Sequence, residues 1–522
     1  MKFRVSPEGN GVYQKAEGTH ERFYIELRSS SRDYTRLQET LMTAVNGEFR
    51  RTPKTSSVPD TSFANPATER TYASQFNALY SFRSGELKSR VMKMAMPKWS
   101  GVDVNGTKPK FVPKVLDVPF LEPVFIIGTT LADMKYKPDV LKEVELNVQG
   151  HFKELDNLTN GGGTIHNKMD DLRKSSYSDP KTDKLWLEDE SGRILLTGDH
   201  LSDKILVTGL VIGVLGMEIE SGIFHVVDIV YPEAAPQRSI LAHDNAKGKV
   251  ALCSGLNFNA SSDVVKFELL QNWLMGELGD DRAKEVSELM VVGNSVNIVP
   301  VKQNIKSEKD KYSDDFVSQY DEEAAKYVDN YFHDLLHSIP VSILPGAHDI
   351  VEAGLPKQPI HKSLFHKSSN RKNFKRLTDP AYYDINGLRC LVSSGENIND
   401  ILKYIIPNVA VTEDHIAESI STDSRLRVIE DSLLWQVIAP TAPDTLWCYP
   451  FEGRDPFTLV ETPHVYIVGN QPNFETSLIE LKRKNGDIIP VRVIAVPEFS
   501  ESNSCVLLDL ETLKCELVRF SC

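Results

Sequence analysis

Residues 342–350 read SILPGAHDI. An apolar strand, Val341–Leu344, ends in Pro345-Gly346, and Ala347, His348 and Asp349 follow. Open α/β sheets place their chemistry in this way, on side chains just beyond the C-terminal end of a strand. An imidazole and a carboxylate are part of a metal donor set. The other strand ends of the chain decide whether the set is completed.

Around this stretch the rhythm is strand, helix, strand. KVALC (249–253) reads as a buried strand, and LMVVG (289–293) as the next. Between them SDVVKFELLQNWLMGEL (262–278) forms a helix with Val264, Phe267, Leu270, Trp273 and Leu274 on one face. DEEAAKYVDNYFHDLLHSI (321–339) is a second helix, striped by Tyr327, Val328, Tyr331, Phe332 and Leu335. GLRCLVS, HVYIVG, VRVIAV and CVLLDL supply later strands. Alternating strands and helices, strand-rich at the end, predict an α/β sandwich.

Calcineurin-like phosphoesterases carry ligands at successive strand ends, as Asp-x-His, Gly-Asp-x-x-Asp, Gly-Asn-His-Asp/Glu and Gly-His-x-His. Two divalent ions need those carboxylates and imidazoles. This chain resembles them in order and punctuation. After KVALCS stand Gly255-Leu256-Asn257, and after LMVV stand Gly293-Asn294-Ser295-Val296-Asn297. After SILP stand Gly346-Ala347-His348-Asp349, and after HVYIV stand Gly469-Asn470-Gln471-Pro472. The turning glycines remain, but Asn294 lacks the charge of a bridging aspartate, and Gly255 and Pro472 have no ligating side chain. His348 is left alone, and a lone histidine is more often structural than catalytic. His361 and His366 have no cysteine partners for zinc. The expectation is an inactive calcineurin-like phosphoesterase shell with no catalytic residue, no metal and no cofactor.

Residues 1–70, rich in Ser, Thr and Pro in their second half, read as a flexible extension. Residues 71–114 read as a helical lead-in, with apolar residues at 72, 76, 79, 80, 82, 87 and 91. Across 115–235 the runs FIIGTTL, KLWLED, GRILLTG, KILVTGLVIGVLGM and FHVVDIVY predict an OB-fold barrel. Its turns are Glu190-Ser191-Gly192 and Glu220-Ser221-Gly222, and a polar insertion at about 150–183 interrupts it. Gly161-Gly162-Gly163 in that insertion lacks a following Gly-Lys-Ser/Thr and reads as a loop. GDHLSD (198–203) and the Glu188, Asp189, Glu190 cluster read as solvated turns between barrel strands. The expected fold class is α/β and β: an OB-fold barrel followed by an inactive calcineurin-like phosphoesterase α/β sandwich over 236–522.

A chain of 522 residues exceeds a single core, so two or more domains are expected. A net charge of -14, from 73 acids against 59 bases, excludes a protein that grips a phosphate backbone with its whole surface. One run without an acid, 356–376, carries Lys357, Lys362, Lys367, Arg371, Lys372, Lys375 and Arg376. It is a solvated loop or a DNA-facing surface. The cysteines at 253, 390, 448, 505, 515 and 522 form no Cys-x-x-Cys, which fits reduced thiols inside a cell. The N-terminus lacks the apolar run of a signal peptide, and the longest apolar stretch, 206–217, is too short for a bilayer, so no membrane partner is expected.

A barrel followed by a metal-stripped sandwich resembles the B-subunit family of replicative DNA polymerases. The wording is similar to the small (second) subunit of DNA polymerase delta in ADMKYKPDVLKEV (132–144), LEDESGRILLTGD (187–199) and VTGLVIGVLGMEIESGIFHVVDI (207–229). The similarity continues through LPKQPIHKSLF (355–365), SGENINDILKY (394–404), IAPTAPDTLWCYPF (438–451) and PHVYIVGNQPNF (463–474). The resemblance implies a non-catalytic scaffold in the nucleus, acting in replication and repair. It would bind the cysteine-rich C-terminal domain of the catalytic subunit and a third subunit that carries a sliding-clamp motif. Clamp and DNA would be met mainly indirectly, and in some lineages the same subunit serves the translesion polymerase zeta. Trp447, Tyr449 and Phe451, set among prolines, are candidate partner anchors or else internal packing. Two other classes stay open. An active metallophosphatase or nuclease is decided by metal analysis of pure protein. An autonomous single-strand-binding OB module needs a basic groove with exposed aromatics and is decided by salt-dependent DNA binding of the isolated chain.

Overall fold

The computed structural model describes residues 22–26, 51, 56–104, 106–137, 176–179, 181–202, 204–240, 248–259, 262–296, 322–405 and 422–521. The strands are β1 (Arg22–Glu26), β2 (Ser57–Pro59), β3 (Lys110–Phe111), β4 (Val124–Asp133), β5 (Lys184–Glu188), β6 (Arg193–Thr197), β7 (Val211–Glu220) and β8 (Ile223–Val230). They continue as β9 (Lys249–Cys253), β10 (Val286–Val292), β11 (Val341–Leu344), β12 (Phe374–Arg376), β13 (Ala381–Ile385) and β14 (Leu388–Ser393). The last are β15 (Val465–Gln471), β16 (Glu475–Lys482), β17 (Ile488–Pro497), β18 (Ser504–Asp509) and β19 (Cys515–Ser521). The helices are α1 (Asn77–Trp99), α2 (Val264–Met275), α3 (Arg282–Glu285), α4 (Glu322–Leu335), α5 (Glu396–Ile405), α6 (Thr422–Trp435) and α7 (Phe499–Ser502).

Strands β4 to β8 close into a barrel. β4 pairs antiparallel with both β5 and β7, β6 runs parallel to β8, and β8 returns antiparallel to β7. Closure leaves no free edge among these strands, and the five-stranded ring is the expected OB-fold. Most of the polar insertion, with its triple glycine, lies outside the described residues. GDHLSD folds as a short turn of 3-10 helix at Asp199–Leu201, between β6 and β7.

Helix α1 lies across the barrel with Leu79, Leu87, Val91, Ala95 and Trp99 buried. It starts later than its apolar spacing suggests. Tyr72 and Phe76, read as part of its stripe, stay 69% and 42% exposed. No side chain caps its first turn, so nothing local fixes the start.

Two sheets then pack face to face. One is ordered β1-β19-β18-β9-β10-β11-β12 and the other β16-β17-β15-β14-β13-β2. The strands β9 to β12 are parallel, as are β14, β15 and β17. Between the sheets lie Val250, Leu252, Met290, Val292 and Leu344 from one and Tyr383, Cys390, Val392, Val465 and Ile467 from the other. Helices α2 and α4 cover the outer face of the first sheet. Helices α5 and α6 cover the second, and the barrel and α1 join the same core. Burial on both faces explains the unbroken apolar runs of β9, β10 and β11. This is the expected α/β sandwich.

Two segments of the stretch read as a flexible extension are strands of the sandwich. β1 pairs with β19, and β2 pairs with β13. Beyond β2, Asp60 meets Arg389 at 2.7 Å and Phe63 is buried. Partners more than three hundred residues away, such as Arg389, hold this polar segment, so its composition gave no sign of them.

Candidate functional site

The C-terminal ends of β9, β10 and β11 meet those of β14, β15 and β17 at one end of the sandwich. The strand ends named in the sequence come together there. The Gly255 N–H donates to the Gly293 carbonyl at 3.0 Å, and Asn257 N–H donates to the Asn294 carbonyl at 2.9 Å. The Asn470 side-chain amide donates to the carbonyls of Val292 (3.3 Å) and Ser394 (2.8 Å), and its backbone N–H donates to Ser254 Oγ at 2.9 Å. Asn294 Oδ1 accepts from the His348 N–H at 3.1 Å. Asn257 Oδ1 lies 3.2 Å from His348 Nδ1, while its amide donates to Glu498 and Ser500, each at 3.1 Å.

The asparagines have a backbone reason to be where they are. Asn257, Asn294 and Asn470 have φ of 49°, 56° and 54°. Asparagine enters this left-handed region more readily than other residues that carry a β-carbon. Gly293 has φ 84°, and a β-carbon there would stand 2.7 Å from Ser394 Cβ and 2.9 Å from the Asn470 amide nitrogen. β9, β10 and β15 therefore each stop in a sharp turn, and the turns pack directly on one another.

Two buried carboxylates border the cluster. Asp349 accepts from the backbone N–H groups of Ser295 (2.9 Å), Val296 (3.1 Å) and Gly346 (2.8 Å). Burial pushes its carboxyl up to about 6 against the pull of those donors. Asp379 accepts from the Ser394 N–H at 2.8 Å and from its hydroxyl. Burial, and after it the nearby Glu396, pushes Asp379 up to about 7. Burial also raises Glu498, opposed by His348 and the Asn257 hydrogen bond. Among the described residues, three or more His, Cys, Asp or Glu side chains come within chelating reach only at His333, Asp334 and His337, on the far side of the first sheet from its partner.

His348 and Ala347 are exposed at the rim, and so is Pro472 beyond β15. Asn297 lies outside the described residues. Sequence reading missed Asp379, Ser394 and Glu498. Glu498 was open to the same logic as the others, because it directly follows the apolar run of β17. Asp379 follows the short, polar strand β12, which gives little signal.

The other candidate residues are distributed differently from the expectation. Phe451 is 4% exposed and belongs to the core, so it is corrected from partner anchor to internal packing. Tyr449 packs edge-on against Tyr72 and exchanges hydrogen bonds of 2.6 Å with the Thr71 backbone. Trp447 is half-buried, and its carbonyl accepts from Leu355 N–H at 2.8 Å. The basic run also divides. Lys357 is 3% exposed and pairs with Glu396 at 2.9 Å, so it is corrected from DNA-facing to interior. Lys375 and Arg376 are half-buried and bound to Tyr383 Oη (3.0 Å) and the Ile360 carbonyl (2.8 Å). Arg371 is half-buried against His337. Lys362, Lys367 and Lys372 are exposed. The partner of Lys357 is distant in sequence, so a count of local charges could not reveal it.

Comparison with known proteins agrees with this architecture. The family profile for the OB-fold domain of the DNA polymerase delta subunit matches residues 75–229, and the profile for the B subunit of DNA polymerases alpha and epsilon matches 250–476. The chain is 39% identical over 476 residues to the DNA polymerase delta small subunit of Saccharomyces cerevisiae, covering 86% of this chain and 90% of that protein. It is 32% identical over 459 residues to DNA polymerase delta subunit 2 of Drosophila melanogaster, covering 86% and 94%. To the DNA polymerase delta small subunit of Arabidopsis thaliana it is 34% identical over 415 residues, covering 78% and 84%. With barrel and sandwich both matched and these relatives aligned over most of its length, the chain belongs to the DNA polymerase delta small subunit family.

Proposed function

We propose that this chain is a non-catalytic scaffold of a nuclear DNA polymerase delta complex, joining the C-terminal domain of the catalytic subunit to the third, clamp-binding subunit. The observation that carries the reading is the chemistry of the strand-end cluster. A dinuclear phosphoesterase centre needs several carboxylates and imidazoles turned toward a shared cavity. Here the strand ends offer mainly amides, hydroxyls and glycines, hydrogen-bonded to one another; Asp349 is turned toward three backbone N–H groups, Asp379 toward Ser394 and Glu498 toward Asn257, and His348 is the one imidazole beside them. The donor set does not fit a pair of divalent ions. A fold in this condition keeps its packed surfaces and ordered loops, which serve as docking surface. In this reading the half-buried Trp447 is the candidate that faces a partner, whereas Tyr449 is held within the chain by Tyr72 and the Thr71 backbone.

The test has two arms. Purified chain given Mn²⁺ or Mg²⁺ is expected to hydrolyse neither phosphodiesters nor DNA ends, and Asn294→Asp is expected not to restore activity. Co-expression with the catalytic subunit's C-terminal domain and the third subunit is expected to yield a stoichiometric complex. Manganese-dependent turnover that follows the protein through two orthogonal columns would overturn the first claim. Failure to co-elute with either partner would overturn the second.

A further inference from the structure

Outside the strand-end cluster, residues 333–337 read HDLLH at the C-terminal end of α4. His333 lies in the last turn of α4 and His337 two residues past its end, in a turn where the His337 N–H donates to the Asp334 carbonyl at 3.2 Å, and two imidazoles brought together in this way can hold one metal ion. The donor atoms of His333, Asp334 and His337 lie within 4.8 Å of one another, and the two rings have centroids 4.8 Å apart. His337 is exposed and His333 is half-buried, so both are open to an ion from solvent.

The ring nitrogens are already aimed at a cation. One nitrogen of the Arg371 guanidinium lies 2.6 Å from His337 Nε2 and 3.4 Å from His333 Nε2. A guanidinium can only donate, so the His337 Nε2 that it meets is an acceptor whose lone pair points at the arginine. His333 Nδ1 lies 3.5 Å from Asp334 Oδ1. That contact favours the proton on Nδ1 and leaves Nε2 as the acceptor, as carboxylates do behind metal-binding histidines. Arg371 is itself held in place. Its loop is anchored on the buried Asp329, which accepts from Lys367 N–H at 2.9 Å and Ser368 N–H at 3.0 Å. The negative end of the helix dipole favours a cation at this position.

We propose that His333 and His337 form a site for one late divalent transition ion, Zn²⁺ or Ni²⁺, and that Arg371 occupies the ion's position in the metal-free chain. Neutral imidazoles select such ions over Mg²⁺ or Ca²⁺. Binding displaces the guanidinium, which then returns to solvent beside the exposed Lys367 and Lys372. Two protein ligands leave coordination positions for water or for a side chain of a bound partner.

The experiment uses the full-length chain without a polyhistidine tag. Zn²⁺ is titrated by calorimetry in a non-coordinating buffer, and Co²⁺ by visible absorption. The expected result is one saturable site of micromolar affinity. His333→Ala and His337→Ala should each weaken it by about tenfold or more, with unchanged melting temperature in the absence of metal. Arg371→Ala should tighten it several-fold. No saturable binding, or binding that His337→Ala leaves intact, overturns the site. Unchanged or weaker binding in Arg371→Ala overturns the role of the guanidinium.

Discussion

The strand-end cluster and the joint between barrel and sandwich are both buried and polar, but they are built from opposite chemistry. At the strand ends neutral asparagines and serines answer backbone groups in their own neighbourhood. At the joint two arginines of α1, two turns apart, reach from the helix over the barrel to the loops of the sandwich. Arg83 is fully buried, pairs with Asp455 at 2.7 Å, and donates to the carbonyls of Pro440 (2.8 Å) and Ala442 (3.0 Å). Arg90 donates to the carbonyls of Glu233 and Leu459, each at 2.8 Å, and to the Gln436 side chain. Burial lowers Arg90 to about 10. At the joint a buried ion pair holds two parts in a fixed relation, whereas at the strand ends the carboxylates are each tied to backbone N–H groups, a hydroxyl or an amide. That distribution suits a protein whose work is geometry.

The contrast gives a ranking of effects. Arg83→Met strands the Asp455 carboxylate in the core and should cost about 4 kcal/mol. Denaturant unfolding should register it, and adding Asp455→Asn, which removes the charge and keeps an acceptor for the Phe457 N–H, should recover part of the loss. A small cost for the single change would break the comparison at its strongest point. Arg90→Leu leaves the buried Glu233 and Leu459 carbonyls without their arginine donor and should cost about 3 kcal/mol, read the same way.

The strand-end counterpart is Asp349→Asn, read through pH. The folded-state value of about 6 lies above that of an unfolded aspartate. The contribution of Asp349 is therefore full in acid and lost as pH rises through about 6. From pH 7 down to pH 5 the parent should gain roughly 1 kcal/mol relative to Asp349→Asn. Denaturation midpoints at the two pH values measure this, and parallel pH profiles would contradict it. Smallest of all, charge reversal at Lys362, Lys367 and Lys372 should leave stability within about 0.5 kcal/mol. If those lysines touch DNA, reversal should flatten the salt dependence of holoenzyme binding to primer–template. An unchanged slope would mark them as solvated loop.

The legibility of the sequence follows the range of the forces involved. The strands at 249–253 and 341–344 were legible to the residue, because burial on both faces leaves an unbroken apolar run. The strand-end glycines and asparagines were legible as an ordered series, since each follows such a run. Their meaning was only half legible. That asparagine stands where the phosphoesterase motifs carry acids could be read from the letters, but the left-handed turns at Asn257, Asn294 and Asn470 needed coordinates. Long-range partnerships were not legible. Lys357 looked like part of a free basic run, and its partner Glu396 lies beyond several intervening strands. Of the two strands inside 1–70, β2 (SVP) leaves no local apolar signature, and the single short apolar run of β1 (RFYIE) does not by itself reveal a partner near residue 518.

The placement of the C-terminal hairpin also has a consequence for synthesis. β9 is the first strand of its sheet's centre to leave the ribosome, yet one of its neighbours is β18. Until β18 emerges, after about half of the chain has followed, β9 presents an open hydrogen-bonding edge to whatever is near. An unpaired edge of this kind invites pairing with another chain. The sheet is therefore sealed late, and a message cut short before residue 504 leaves a template for aggregation where a finished chain has a wall.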